Sequence, residues 1–287
     1  MKYVIGLVFS LLLFNSSEAQ SLKVPTLSPR GEISQEVGLT EVKLSYSRPS
    51  AKGRKIFGGL VPYGEMWRTG ANAATTVTFA ESVTVSNQTL PAGTYAIYTI
   101  PNPDLWTIII HKNTTMRSLD GNYDKANDAM RFGVIASNSP IHMETFTMDI
   151  SDVTTSSFNI RLMWADKLAK IPVKLNVDNQ VAAQMQKLTM SSAGVHHMDY
   201  FKAAEYKYHN GKDLSEAHAY IVNALSKSKE NPRYGLMKAK IENNMGKVNM
   251  ARNTLRLANN WARVQDNTNY VNQTLLYAKE MNQQVNK

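Results

Sequence analysis

The hydrophobic period of this chain changes once, near residue 180, and that change limits the folds open to it. Val42, Leu44 and Tyr46 alternate with Lys43, Ser45 and Ser47, the two-residue period of a half-buried strand. Val77 and Phe79, Val83 and Val85, then Phe158, Ile160, Leu162 and Trp164 repeat the pattern, and Val173, Leu175 and Val177 close it. Leu90-Pro91-Ala92-Gly93 places Pro and Gly where a type I turn takes them. Many short strands with few helical stretches between them predict an antiparallel β-sandwich, jelly-roll-like, over residues 20–180. From Val181 to Val285 the only proline is Pro232, and apolar residues recur at three and four. The fold class is therefore α+β in two segments, with helices over 181–287.

The clearest hairpin is TYAIYTIPNPDLWTIIIH. With Pro101–Asp104 as its loop, Ile100 faces Leu105, Tyr98 faces Thr107 and Thr94 faces His111. One face then carries Tyr95, Ile97, Trp106, Ile108 and Ile110, which is core. The other carries Thr94, Ala96, Tyr98, Thr107, Ile109 and His111, a mixed face expected to meet solvent or line a shallow groove. His111 is accordingly expected to be exposed.

The first nineteen residues have the form of a secretory leader: Lys2, an apolar run from Val4 to Phe14, and small residues at Ser17 and Ala19. Cleavage is expected between Ala19 and Gln20, releasing a periplasmic or secreted protein. There is no cysteine, so neither a disulfide nor lipid attachment to a thiol is available. No later stretch approaches the ~20 apolar residues of a membrane span. The formal charge of +9 lies mainly in the helical part, where residues 181–287 hold 15 Lys+Arg against 8 Asp+Glu. Such charge can favour nucleic acid, but an exported protein is not expected to meet that partner, and a solvated basic helical surface accounts for it.

Between the Tyr46 and Val77 strands runs SRPSAKGRKIFGGLVPYGEMWRTGANAAT, long for an ordered connection. Arg48, Lys52, Arg54 and Lys55 meet no acid until Glu65, and Arg68 follows. Guanidinium forks and a Gly-rich backbone suit a carboxylate, sulfate or phosphate. Trp67 suits either a sugar ring or a structural role, pinning the loop with Phe57 and Leu60 over an end of the sandwich. In the structural reading Arg68 pairs with Glu65 or bonds backbone carbonyls, and Asn72 caps a turn. The candidate ligand residues are Arg48, Lys52, Arg54, Glu65, Trp67, Arg68, Asn72 and His111. No motif calls for a cofactor. His142 and Glu144 alternate on one strand face but lack the third ligand a metal needs, so no metal is expected. His196 and His197 are neighbours, expected to diverge on a helix. No nucleophile, zinc-protease or phosphate-loop motif is present.

Two resemblances add to this reading. In the helical part, Ala217, Ile221 and Ala224 recur 34 residues later as Ala251, Leu255 and Ala258. DLSEAHAYIVNAL and VNMARNTLRLAN each resemble the second helix of a tetratricopeptide hairpin, although the first-helix Trp, Leu-Gly and Tyr positions are poorly kept. Two such units bury little alone and imply packing on the β domain or on a partner protein. In the first part, YSRPSAKGRKIFGGLVPYGEMWRTGANAATTVTF and LPAGTYAIYTIPNPDLWTIIIHK closely resemble the exported domain-of-unknown-function 2911 family, over roughly residues 25–178. That resemblance implies a signature containing Arg48, Lys52, Gly53, Arg54, Trp67, Arg68, Gly70 and Asn72, and no activity. The leading expectation is an exported, non-enzymatic binding or scaffold protein, with an anionic or carbohydrate ligand at the loop and a protein partner on the helices. The alternative is a hydrolase or isomerase acting on a polysaccharide or envelope metabolite through Glu65, Arg68, Asn72 and His111.

Overall fold

The computed structural model describes residue 22 and residues 24–116, 123–191, 193–211 and 213–285. The expected leader and its cleavage site lie outside the described residues. Nine antiparallel strands come first: β1 (Arg30–Val37), β2 (Thr40–Ser47), β3 (Thr76–Phe79), β4 (Val83–Val85), β5 (Gln88–Leu90), β6 (Gly93–Ile100), β7 (Leu105–His111), β8 (Asp128–Ser151) and β9 (Ser157–Leu175). Six helices follow: α1 (Val177–Met190), α2 (His197–His209), α3 (Leu214–Lys227), α4 (Pro232–Asn244), α5 (Val248–Val264) and α6 (Thr268–Val285). The α+β division stands. Val177 does not close the strand series; it opens α1 and is buried there.

The strands form one continuous order, β1-β2-β3-β6-β7-β8-β9-β4-β5. Two facing layers arise from this single sheet because β8 serves both: Asp128–Ile135 pairs with β7, and Ala136–Ser151 pairs with β9. The sheet folds over on itself, so Leu44, Val77, Ile97 and Ile108 share one core with Phe146, Phe158, Ile160 and Val173. Tyr46 bridges the layers, donating its hydroxyl to Met148 O at 2.8 Å. The inward set of β9 is even-numbered through Trp164 and odd-numbered from Ala169. Ala165, at φ 48°, lies where the count slips, opposite the irregular stretch of β8 between Asn138 and Thr147, where β8 carries the extra residues. Ser86 and Asn87, both at positive φ, make the two-residue β4–β5 hairpin.

The β6–β7 hairpin differs from expectation in register. Ile100 pairs with Thr107, Tyr98 with Ile109, and Ala96 with His111, two residues further along β7 than predicted. Part of the loop backbone is taken elsewhere: Pro101 O accepts from Gly64 N, and Trp67 pairs with Thr99. A shift of two preserves the faces, and Tyr95, Ile97, Trp106, Ile108 and Ile110 do lie in the core. The opposite face is not open. Ala96, Tyr98 and Ile109 are buried in a second cluster with Ala74 and Met116, and Met66 and Tyr123 pack on it.

In the helical part, α2 pairs with α3 and α4 with α5. Asp213 caps α3 by accepting from Glu216 N at 3.0 Å, and Asn231 caps α4 with Pro232 in its first turn. Gly235 lets α4 and α5 close up: a Cβ there would stand 2.7 Å from Ala258 Cβ. The residues of the 34-residue recurrence, Ala217, Ile221 and Ala224 with Ala251, Leu255 and Ala258, are all buried. His196 and His197 do not diverge. His196 stands outside α2 as its N-cap, at ψ 148°, and its ring lies 4.0 Å from that of His197, which meets Tyr234 Oη at 2.8 Å. Among the described residues no helix is long and apolar enough to cross a membrane.

Candidate functional site

The long connection between β2 and β3 is tied down at both ends. At its start, Ala51 N donates to Glu144 O at 2.7 Å and Phe146 N to Pro49 O at 2.8 Å, so the chain runs beside β8. At its end, Trp67 and Thr99 exchange backbone hydrogen bonds at 2.7 and 2.9 Å, so the loop extends the sheet beside β6. Between these ties the Trp67 indole stacks on Trp164, with centroids 5.6 Å apart, and meets Phe57 and Phe146 edge-on. Its Nε1 donates to Gly70 O at 3.0 Å, closing a tight turn. Gly70 needs to be glycine: φ is 142°, and a Cβ would sit 3.0 Å from Ser47 O and from Thr75 Oγ1. Phe57 shares the anchoring, but Leu60 does not. It is half exposed, and Ile56 and Val61 are the aliphatic residues buried beneath the loop.

This framework leaves a cleft of about 420 Å³ whose rim carries Lys52, Arg54, Arg68 and Asn72. Trp67, Trp164, Pro49 and Leu60 contribute apolar wall, and Ser28 closes one side. Arg54 is held rigid, donating from Nε to Ala51 O at 2.9 Å and from Nη2 to Ser50 O at 2.7 Å. Arg68 Nη1 donates to Asn72 O at 3.1 Å, and its charge reaches Tyr98. Burial pushes the Tyr98 hydroxyl upward, and Arg68 offsets part of that rise. Asn72, at φ 58°, donates from Nδ2 to Ser28 O at 3.1 Å, holding the segment before β1 against the rim. Lys52 N donates to Glu144 Oε1 at 2.8 Å, while its side chain is exposed and makes no ion pair among the described residues. No carboxylate and no histidine is among the described residues that line it.

Five of the eight candidate residues therefore meet at one cleft: Lys52, Arg54, Trp67, Arg68 and Asn72. The other three lie elsewhere. Arg48 turns toward β8, donating from Nη2 to Thr147 Oγ1 at 3.0 Å. Glu65 is exposed and outside the lining. His111 corrects the expectation of exposure: it is fully buried on the second face of β7, with Nε2 3.1 Å from Asp124 O and Nδ1 accepting from Asn113 N. The three successive isoleucines, Ile108 to Ile110, were the sign that both faces of β7 are covered. His142 lies between two carboxylates, with Nδ1 2.9 Å from Asp166 Oδ1 and Nε2 3.9 Å from Glu144 Oε2. Those carboxylates sit at opposite edges of the imidazole, and no metal-holding group of three is found among the described residues. Trp164, read only as a strand residue, is the cleft component missed from the sequence; its place opposite Trp67 depends on how β8 folds the sheet.

No curated protein and no solved structure matches this sequence well enough to compare. One family profile does match, across residues 28–173, a span that takes in the cleft and nearly the whole sheet. The chain thus belongs to the family described as protein of unknown function (DUF2911).

Proposed function

We propose that this is an exported binding protein whose cleft takes a small anion-bearing ligand and whose helices dock a protein partner. The observation that carries the ligand half is the convergence of Lys52 and Arg54, with the Arg68 guanidinium beside them, on one cleft with no carboxylate among its described lining residues. Cations gathered beside an apolar wall favour an anion, and a pre-bonded guanidinium such as Arg54 loses little entropy on binding one. A sugar stacked on Trp67 is less well supported, because its ring is spent on Trp164, Phe57 and Phe146. Hydrolysis or isomerisation needs an acid or base within hydrogen-bonding reach of the substrate. Glu65 and His111, the groups expected to supply one, lie outside the lining.

Sulfate and inorganic phosphate titrated into the purified protein are expected to raise its melting temperature saturably. Lys52→Glu should abolish that rise, and added sodium chloride should weaken it. Arg68→Lys should weaken binding as well, since the planar fork is lost while the charge remains. Equal stabilisation of wild type and Lys52→Glu would show that the anion acts away from the cleft and would end this reading.

A further inference from the structure

Among the described residues, α6 is a first helix whose pairing face is uncovered. Asn267 accepts from Tyr270 N at 3.3 Å just as Asn231 accepts from Tyr234 N at 3.4 Å, so α6 repeats α4 at an offset of 36. In α4, Ala239 is buried against Ala251 and Leu255 of its pair-mate α5. The matching position in α6 is Leu275, which is 50% exposed. Among the described residues no helix takes on α6 the place that α5 takes on α4. Beside Leu275 runs a groove of about 340 Å³ between α5 and α6, with Leu255, Ala278 and Met281 as its apolar lining and Arg252 and Arg256 as its charge. No carboxylate is among the described residues that line it. Arg252 reaches Asn282 Oδ1 at 3.4 Å, and neither guanidinium forms an ion pair among the described residues.

From this juxtaposition we propose that the α5–α6 groove docks an acidic amphipathic helix of a partner protein, seated as α5 is seated on α4. The helical character follows from the repeat, which uses this arrangement in both the α2–α3 and the α4–α5 pairs. The acidic character follows from charge. A second copy docking the same face would bring Arg252 and Arg256 against their own counterparts, whereas carboxylates flanking an apolar stripe would pair with them. The proposal rests on the reading of the helices as a partner surface and is independent of the anion cleft.

The test uses the full chain and two synthetic peptides of about 16 residues, long enough for four helical turns. One carries Leu at i, i+3, i+4 and i+7 with Glu flanking the stripe; the other replaces each Glu with Lys. By fluorescence anisotropy the acidic peptide should bind saturably and the basic one should not. Leu275→Glu and Arg256→Glu should each weaken the acidic peptide by about tenfold or more, the scale of a central interface contact. Arg256→Glu should also gain affinity for the basic peptide. Both changes lie at the surface, and an unchanged melting temperature confirms that each variant is folded. Absence of acidic-peptide binding, or binding indifferent to both substitutions, would overturn the proposal. So would a dimer, seen in sedimentation, that Leu275→Glu dissociates. If the peptide fails while sulfate still stabilises through Lys52, the groove alone is lost and the cleft stands.

Discussion

At the scale of single residues, Trp67 and Lys52 play opposite parts although only fifteen positions separate them in one loop. Trp67 is buried among Phe57, Phe146 and Trp164 and fastens the turn at Gly70. Trp67→Ala should therefore cost about 3–5 kcal/mol in denaturant titration, as large aromatic deletions in cores do. Lys52→Ala removes an exposed side chain and should stay within about ±0.5 kcal/mol. A small loss for Trp67→Ala would mean that the loop is held by its backbone ties to β6 and β8 alone. The sequence made these residues visible by type: basic groups without acids, and a tryptophan among glycines. It did not show which of them would share a cleft. Arg48 belongs to the same basic run yet turns to Thr147, because its partner is fixed by a strand about a hundred positions away. Trp164 reaches the cleft for the same non-local reason.

Elements were legible where local chemistry decides them and illegible where neighbours do. The 34-residue recurrence of small apolar residues corresponds to buried positions of α3 and α5. The β6–β7 register was not legible, because the competing bonds to Gly64 and Trp67 come from a loop that local pattern cannot place. Nor was the start of α1, since Val177 continues the parity of the strand before it. How α1 is held to α2 depends on one such unpredicted contact: Tyr206 Oη donates to Asp178 Oδ1 at 3.0 Å. Burial, then this bond and the nearby carboxylate charge, raise the Tyr206 hydroxyl from its ordinary 10 to about 12. The folded state binds this proton more tightly than the unfolded chain does. Its contribution is thus complete below pH 10 and is lost as the pH rises from 10 through 12. Wild type should melt above Tyr206→Phe at pH 8, with the gap narrowing steadily between pH 10 and 12. A gap that stays constant over that window would show that the hydroxyl does not hold its proton through Asp178.

At the scale of the whole molecule, the sheet and the helices are built around separate cores. The sheet core runs from Val37 to Val173, while Phe201, Ile221 and Tyr234 centre one helical cluster and Ala251, Leu255 and Tyr277 another. The joint between the two parts is narrow. Thr155 Oγ1 donates to Asn210 Oδ1 at 2.6 Å, and Gly38 fits beneath Val177 and Thr155 where a Cβ would be 2.9 Å from each. Around that joint lies a cavity of about 750 Å³, with Leu39, Val153, Val181 and Leu188 in its lining, so apolar surface that would weld the parts together is left unpacked. Cooperativity follows shared burial, and cores that share few contacts unfold apart. The helical part, with smaller cores and an uncovered last helix, should melt first. The tryptophans allow the two to be followed separately: Trp67, Trp106 and Trp164 report the sheet, and Trp261 lies on α5. In a Trp261→Phe background, ellipticity at about 222 nm, dominated by the regular i→i−4 helices, should fall at a lower temperature than tryptophan fluorescence shifts. Removing residues 177–287 should leave the fluorescence midpoint nearly in place, since among the described residues the sheet core and the side chains packed on it end at Leu175. Coincident midpoints, or a truncated sheet that no longer folds, would mean that the narrow joint couples the two parts as strongly as a common core would.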